Sequence, residues 1–298
     1  MIKKSLDIHS ASDMLPLRDP AGHKGSFGKA FLLCGSKNMV GCCVLATTGA
    51  LRSGAGLVTL AFPDVLYTAL TSRLTENLFL PLPSDKEGFI SISAVDIALK
   101  EAEKTDVIMV GCGIGKGDGA KLLVKKLLLL EGKTIIFDAD AINCLCDLKE
   151  ELKISNSNIL LTPHPGEMAR LTDKTVAVIE NSREESVKAF CKEYGVNVLL
   201  KGHETLICNS DVTEIFVNKT GNSGLSKGGS GDLLSGIIAG IALAFKGDLF
   251  KSAVLGAFVH GMSADLLKNN YSEYSILPSD CADVLPLVYS MIEKGGAD

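Results

Sequence analysis

The stretch Asn218–Lys246, NKTGNSGLSKGGSGDLLSGIIAGIALAFK, joins two different kinds of sequence. Its first half is polar and carries glycines at 221, 224, 228, 229 and 231. In its second half Leu233, Leu234, Ile237, Ile238, Ile241 and Phe245 recur at helical spacing as one apolar stripe. Asp232 stands at the junction, where a helix start exposes unpaired N–H groups and the positive end of its dipole. Main chain at Gly229, Ser230 and Gly231 can approach an anion closely there and present a nest of N–H donors. The carboxylate of Asp232 then has two readings. It caps its own helix, or it takes a proton from a substrate hydroxyl while the adjacent amides hold a phosphoryl group.

Working outward, short apolar runs alternate with helical segments. Residues 29–34, 57–62, 106–110, 134–137, 158–161 and 196–200 read as buried strands bounded by Gly, Pro, Asp or Lys. Residues 206–208 and 213–217 read as a hairpin around Asn209-Ser210-Asp211. Helices are predicted from Cys42 to Arg52, from the 111–117 glycine run to Leu130, near 249–268 and near 280–293. Residues 1–28, with two prolines, read as an irregular lead-in. The alternation predicts an α/β fold with a mostly parallel central sheet and helices on both faces. No repeat, low-complexity tract or linker interrupts it, so one domain over 1–298 is expected. Strand exits are rich in Gly, Asp, His, Pro, Lys and Thr, and open α/β sheets bind ligands at those carboxyl ends.

Composition excludes several classes of function. The chain has 298 residues, a net charge of −5 and no Trp, with both charge signs scattered, so neither a base-stacking platform nor a phosphate-backbone footprint is present. No nucleic-acid partner is expected. Nine cysteines without a CxxC pair read as reduced, mostly buried thiols rather than a disulfide framework or zinc site. The N-terminal MIKKSLDIHSASDMLPLRD has lysines but no apolar core behind them, and the 233–245 run is too short to span a bilayer. A cytoplasmic protein with no membrane partner is expected.

The other motifs leave alternatives open one by one. Residues 111–117, GCGIGKG, fit neither GxGxxG nor a P-loop, and serve as a tight turn or as a phosphate or ribose contact. Asp138 and Asp140, two apart at a strand end, point the same way if the strand continues and then coordinate magnesium; otherwise they cap a helix. His164, between two prolines, is held in rigid non-helical backbone and suits a substrate or packing contact better than a metal site. Lys201-Gly202-His203-Glu204-Thr205 offers an ammonium and a hydroxyl at a strand exit, for a nucleotide or for solvent.

Taken together, the segments HKGSFGK (23–29), GSKNMVG (35–41), LRSGAGLVT (51–59), GCGIG (111–115), DADAIN (138–143), LTPHPGEMARL (161–171), LKGHETLI (200–207) and TGNSGLSKGGSGDLLSGIIAG (220–240) resemble the NAD(P)H-hydrate dehydratase family of the ribokinase-like superfamily. The match runs in order along nearly the whole chain. It implies a lyase that repairs hydrated NADH or NADPH. A nucleotide phosphorylates the ring hydroxyl, and phosphate then leaves with a neighbouring proton. ADP is the expected co-substrate, as in bacterial members, with ATP as the alternative and Mg²⁺ as the cofactor. The resemblance implies Asp232 as catalytic base and the 229–231 amides as its anion hole. It places Cys42, Gly113, His164 and Asp232 on the hydrated dinucleotide, and residues 201–205 with Gly231 on the nucleotide's AMP portion. Asn222 is expected to shape the signature loop. Members often assemble, so a homo-oligomer is expected, and residues before His23 are expected to be too few for the epimerase domain fused to some members. The chain departs from the family pattern at Cys42, usually Ala, and at Ser223, Leu225, Ser226 and Lys227 within what is commonly TGNPGMATGGSGD. A vitamin-precursor kinase of the same superfamily would share Asp232 and the glycine loop but has no evident need of LTPHPGE. A non-catalytic nucleotide-binding protein would have no need of the intact Gly-Ser-Gly-Asp.

Overall fold

Successive strand residues point to opposite faces of a sheet, and here the alternation sorts them into two cores. Phe31, Leu33, Ile108, Val110, Ile135 and Phe137 join one. Leu32, Val107, Met109, Ile136 and Leu160 join the other. The computed structural model describes residues 4–295. It contains one nine-stranded sheet in the order β3-β2-β1-β4-β5-β6-β7-β8-β9. The strands are β1 (Lys29–Leu33), β2 (Leu57–Pro63), β3 (Leu78–Leu82), β4 (Val107–Val110), β5 (Thr134–Phe137), β6 (Asn158–Leu161), β7 (Asn197–Leu200), β8 (Leu206–Cys208) and β9 (Ile215–Val217). Pairing is parallel from β3 through β7 and antiparallel for β7-β8 and β8-β9.

The first core is covered by the helices Val95–Ala102, Asp118–Leu128, Pro165–Leu171 and Arg183–Tyr194. The second is covered by Gly41–Arg52, Ser230–Ala244 and Leu249–Lys268. The expected mostly parallel sheet with helices on both faces is what the chain forms.

The helix predicted with one apolar stripe is apolar all round. Leu234, Ile238 and Ala242 face the sheet. Leu233, Ile237 and Ile241 instead meet Phe258 and Val259 of Leu249–Lys268 and Leu285 and Val288 of Pro278–Glu293. A helix buried on every side is central rather than superficial. Its small residues allow this: a Cβ on Gly236 would stand 2.1 Å from the Ala46 carbonyl oxygen, and one on Gly240 2.5 Å from that of Ala50. The Gly41–Arg52 helix therefore lies directly against its backbone, which anchors the start of Ser230–Ala244 over the sheet.

Other readings are corrected in detail. The lead-in holds a helix, Ile8–Met14, whose start is closed by a reciprocal cap between Asp7 and Ser10; residues 1–3 of that stretch lie outside the described part. The second arm of the hairpin begins at Ile215 rather than Thr213. The edge strand β3 and the helices between Pro165 and Tyr194 had no reading in the sequence. All nine cysteines are free thiols, buried except for the half-buried Cys146. Among the described residues no helix is long and apolar enough to cross a membrane.

Candidate active site

The exits of β5, β6 and β7 open onto a cleft of about 910 Å³, roofed by the 218–229 loop and by the start of Ser230–Ala244. Its lining includes Asp138, His164, Glu167, the whole 201–205 turn, Asn222, residues 228–232 and His260. Sequence-distant motifs thus meet at one edge of a parallel sheet, where such sheets bind ligands.

Gly229 is the N-cap of the helix, with φ of 100°, a conformation that favours glycine. Asp232 is the third helical residue and makes no capping hydrogen bond among the described residues, so its carboxylate is left for the cleft. Of the expected anion-hole amides, Ser230 N–H is already taken: it donates to the Lys227 carbonyl at 3.3 Å. The N–H groups of Gly229 and Gly231 have no acceptor among the described residues. Ser230 Oγ is buried and also unpaired. Unpaired N–H groups at a helix start suit an anion, and a carboxylate beside them is placed to accept a proton.

Asp138 anchors the opposite wall. It is 1% exposed, its Oδ1 accepts from Lys201 Nζ at 2.7 Å, and its Oδ2 accepts from Ser235 Oγ at 2.7 Å. Burial alone would raise this carboxyl, but the Lys201 ammonium and the hydrogen bonds outweigh it and hold it below the ordinary carboxylate range. Lys201 Nζ also lies 3.9 Å from Glu167 Oε2. Burial would lower the Lys201 amine; Asp138 and Glu167 keep it raised and charged. A Cβ on Gly231 would lie 3.4 Å from Lys201 Nζ, so the ammonium sits directly under the helix start.

Two carboxyls are pushed the other way. Burial, then the negative charge of Asp138, raises Asp232 to about 6, while a hydrogen bond with Cys112 and the Lys201 charge pull against this. Burial, opposed by Lys201 and reinforced by Asp138, raises Glu167 to about 7. A base near neutrality is the condition for efficient proton abstraction at physiological pH. Burial acts on all three carboxyls, but only Asp138 has the Lys201 ammonium within hydrogen-bond distance, at 2.7 Å against 3.9 Å for Glu167, so only it is held low.

His164 is the N-cap of Pro165–Leu171: its Nδ1 accepts from Gly166 N–H at 3.0 Å, and its own N–H donates to Glu167 Oε2 at 2.8 Å. Burial and the nearby Lys201 and Arg170 charges lower the imidazole's pKa, so it faces the cleft as a neutral ring. Asn222 bonds within and beyond its loop: Oδ1 accepts from Gly224 N–H at 3.0 Å, and Nδ2 donates to Asp265 Oδ1 at 3.1 Å.

The expected Asp138–Asp140 pair diverges. The strand ends at Phe137, Asp138 becomes the N-cap position of the Ala139–Leu145 helix, and the alternation that would align the two stops. Asp140 turns to the 111–117 turn, where Oδ2 accepts from Gly115 N–H at 2.9 Å. Cys42 and Gly113 likewise do not line the cleft. They pack on each other beside Cys112, with Cys42 Sγ donating to the Met39 and Cys112 carbonyls at 3.1 and 3.2 Å. Cys112 connects that junction to the cleft: ligand atoms of Cys112, Asp138 and Asp232 lie within 4.8 Å of one another. A hydrogen bond with Cys34 and burial keep Cys112 a protonated thiol.

Glu167, Ser235 and His260 were not assigned from the sequence. Glu167 carries a legible signal, since it lies three residues after the His164 cap position. Ser235 and His260 are polar residues inside apolar helices; only the fold brings Ser235 to Asp138 and His260 to the cleft wall. His260 is 7% exposed, its Nε2 has no partner among the described residues, and burial with the Lys201 charge lowers it to about 4.

Sheet order and the helical layers on both faces give the chain a ribokinase-like α/β fold. A ribokinase-like superfamily protein from Enterococcus faecalis superposes with a TM-score of 0.84 over 98% of this chain and 96% of that one, at 24% identity. More narrowly, the chain belongs to the NAD(P)H-hydrate dehydratase family, whose model matches residues 30–287. It is 37% identical to the ADP-dependent (S)-NAD(P)H-hydrate dehydratase of Neisseria meningitidis, over 83% of this chain and 80% of that protein. It is also 37% identical to the bifunctional NAD(P)H-hydrate repair enzyme of Moorella thermoacetica, over 94% of this chain but 52% of the relative; the chain spans about half the length of such bifunctional relatives. The ADP/ATP-dependent NAD(P)H-hydrate dehydratase of Bacillus subtilis, co-crystallised with ATP and Mg²⁺, superposes with a TM-score of 0.83 at 28% identity, covering 98% of this chain and all of that one.

Proposed function

We infer that this chain, acting as one domain, dehydrates (S)-hydrated NADH or NADPH at the expense of ADP, with ATP as the alternative donor. The observation that carries the reading is Asp232: a carboxyl raised to about 6 in the first turn of a helix, beside unpaired Gly229 and Gly231 amides and above the Lys201–Asp138 pair. Asp232 takes the proton of the ring hydroxyl as its oxygen accepts the terminal phosphoryl of the nucleotide, which leaves as AMP when ADP is the donor. The C–O bond of the phosphate ester then breaks, a neighbouring C–H proton departs, and the dihydropyridine is restored with inorganic phosphate as the second product. Hydroxide is a poor leaving group and phosphate a good one, which is why a nucleotide is consumed.

The amides of Gly229 and Gly231 and the Lys201 ammonium meet the charge on the migrating phosphoryl group. The 201–205 turn with Gly231 holds the AMP portion, while His164 and Asp232, which line the same cleft, hold the hydrated dinucleotide. The donor set fits magnesium in a limited way. Asp138 and Asp232 supply hard carboxylate oxygens, Asp138 is already shared with Lys201 and Ser235, and the Cys112 thiol is no magnesium ligand. Asp138 and Asp232 would therefore hold the ion together with nucleotide phosphates and water. The ion supplies neutralisation of phosphate charge.

The test is incubation with hydrated NADH, Mg²⁺ and ADP or ATP, following the return of dihydropyridine absorbance. Recovery with ADP is the expected result. Phosphorylation of a hydroxymethylpyrimidine or hydroxyethylthiazole without that recovery would replace the reading with a vitamin-precursor kinase.

A further inference from the structure

The loop that delivers the anion site is rich in glycine, yet it is fastened at three points to a single neighbouring segment. Gly221 N–H and Asn222 Nδ2 donate to Asp265 at 2.7 and 3.1 Å. Ser223 N–H and Oγ donate to Glu273 Oε2 at 3.1 and 2.5 Å, and Glu273 is itself paired with Lys268 at 2.6 Å. The last tether is Lys227, the final side chain before the two glycines that lead into the helix. Its Nζ donates to the carbonyls of Tyr274 at 2.8 Å and Ile276 at 2.5 Å. Its own carbonyl accepts the Ser230 N–H, the first of the helix.

We propose that Lys227 is a positioning residue for phosphoryl transfer, locking the Gly228–Asp232 amides in place before a nucleotide arrives. The inference rests on the dehydratase reading for its chemistry, but the tether itself is independent of it. Glycines lose more conformational freedom on ordering than other residues, so an untethered Gly228–Gly229 hinge would have to be ordered at each turnover. Two charge-assisted hydrogen bonds to main chain, on a residue whose carbonyl holds the helix start, remove that cost beforehand. The Lys227 ammonium is directed at two neutral carbonyls, and the charge beneath Gly231 is that of Lys201. Lys227 therefore acts through geometry. Since the 201–205 turn holds most of the AMP portion and Gly231 alone of the tethered amides joins it, loss of the tether should fall on kcat more than on nucleotide KM.

The experiment compares Lys227→Met and Lys227→Arg with the wild type in two arms. In the first, amide hydrogen exchange is read in the ligand-free protein. The Ser230 and Leu233 amides of K227M, which donate to the Lys227 and Gly229 carbonyls, should exchange about tenfold or more faster, with the Leu249–Lys268 helix unchanged and K227R close to wild type. In the second, turnover of hydrated NADH with ADP and Mg²⁺ should lose about ten- to a hundredfold in kcat with less than a threefold change in ADP KM, and K227R should recover most of it. Unchanged exchange would overturn the proposal, whether or not kcat falls; a fall in kcat with unchanged exchange would mean that the charge acts on the phosphoryl group directly. Should K227M not fold, Ser223→Ala removes a different tether and carries the same expectation at about two- to fivefold; no effect of S223A on exchange of the Ser230 and Leu233 amides would then overturn it. A wild type that leaves hydrated NADH untouched would dismiss the dehydratase reading, with the exchange arm still deciding the tether.

Discussion

Asp232→Asn is expected to remove activity and add stability, with a pH dependence that ties both to one carboxyl. The folded protein holds this group at about 6 against an ordinary 3.8, chiefly through burial and the adjacent Asp138 charge. The folded state thus binds the proton more tightly than the unfolded chain. Stability is lost as pH rises from 3.8 through 6 and stays lost above that. The gap is about 2.2 units, and at about 1.36 kcal/mol per unit the full penalty is about 3 kcal/mol at pH 8, trimmed by water at the partly exposed edge of the side chain. At pH 5 about half of it remains, and below 3.8 none. Asn keeps the shape without the charge. For a chain of 298 residues, unfolding entropy of about 2.1 cal/mol/K per residue turns the pH 8 gain into a Tm rise of up to about 5 °C. Turnover of hydrated NADH should fall by about 10²–10⁴, the worth of a positioned general base, with ADP affinity near wild type. In the wild type kcat should fall on the acid side of about pH 6. Thermal unfolding at pH 4 and pH 8, with the absorbance assay at pH 8, checks all three. Wild-type turnover in the variant, or a stability change equal at the two pH values, would refute the reasoning.

Two further outcomes follow from the same geometry. Lys201→Met strands Asp138, which is 1% exposed, and should cost about 3–5 kcal/mol at pH 7 by chemical denaturation. The loss should shrink towards pH 4, because without the ammonium burial raises Asp138 and the folded state then takes up the proton; a loss independent of pH would count against the ion pair as the cause. Gly236→Ala places a methyl 2.1 Å from the Ala46 carbonyl oxygen, which is backbone and cannot swing aside. Overpacking of this kind should lower stability by about 1–3 kcal/mol, with a loss of kcat as the helix start shifts over Lys201; an unchanged Tm would show that the two helices separate freely.

The alternation of buried runs with helical segments was enough to define the parallel α/β sheet, because a strand buried on both faces leaves a nearly continuous apolar run. Gly229, Asp232, His164 and the 201–205 turn were legible as a site because loop glycines, a residue at a helix start and polar strand exits each carry a local signal. What the sequence left open was decided by packing. Asp232 is freed from capping because Gly229 takes the cap position and the helix is pinned by Gly236 against Ala46. Asp138 and Asp140, neighbours in sequence, are sent to different partners by the helix that starts between them. Glu167, Ser235 and His260 acquire meaning only from the residues brought to face them. The raised carboxyls of Asp232 and Glu167 depend on burial and on a charge from residue 138, distances that no spacing along the chain encodes. Local pattern determined which elements form, and the tertiary structure decided which charges share one cleft, because electrostatic energy depends on separation and solvent in space.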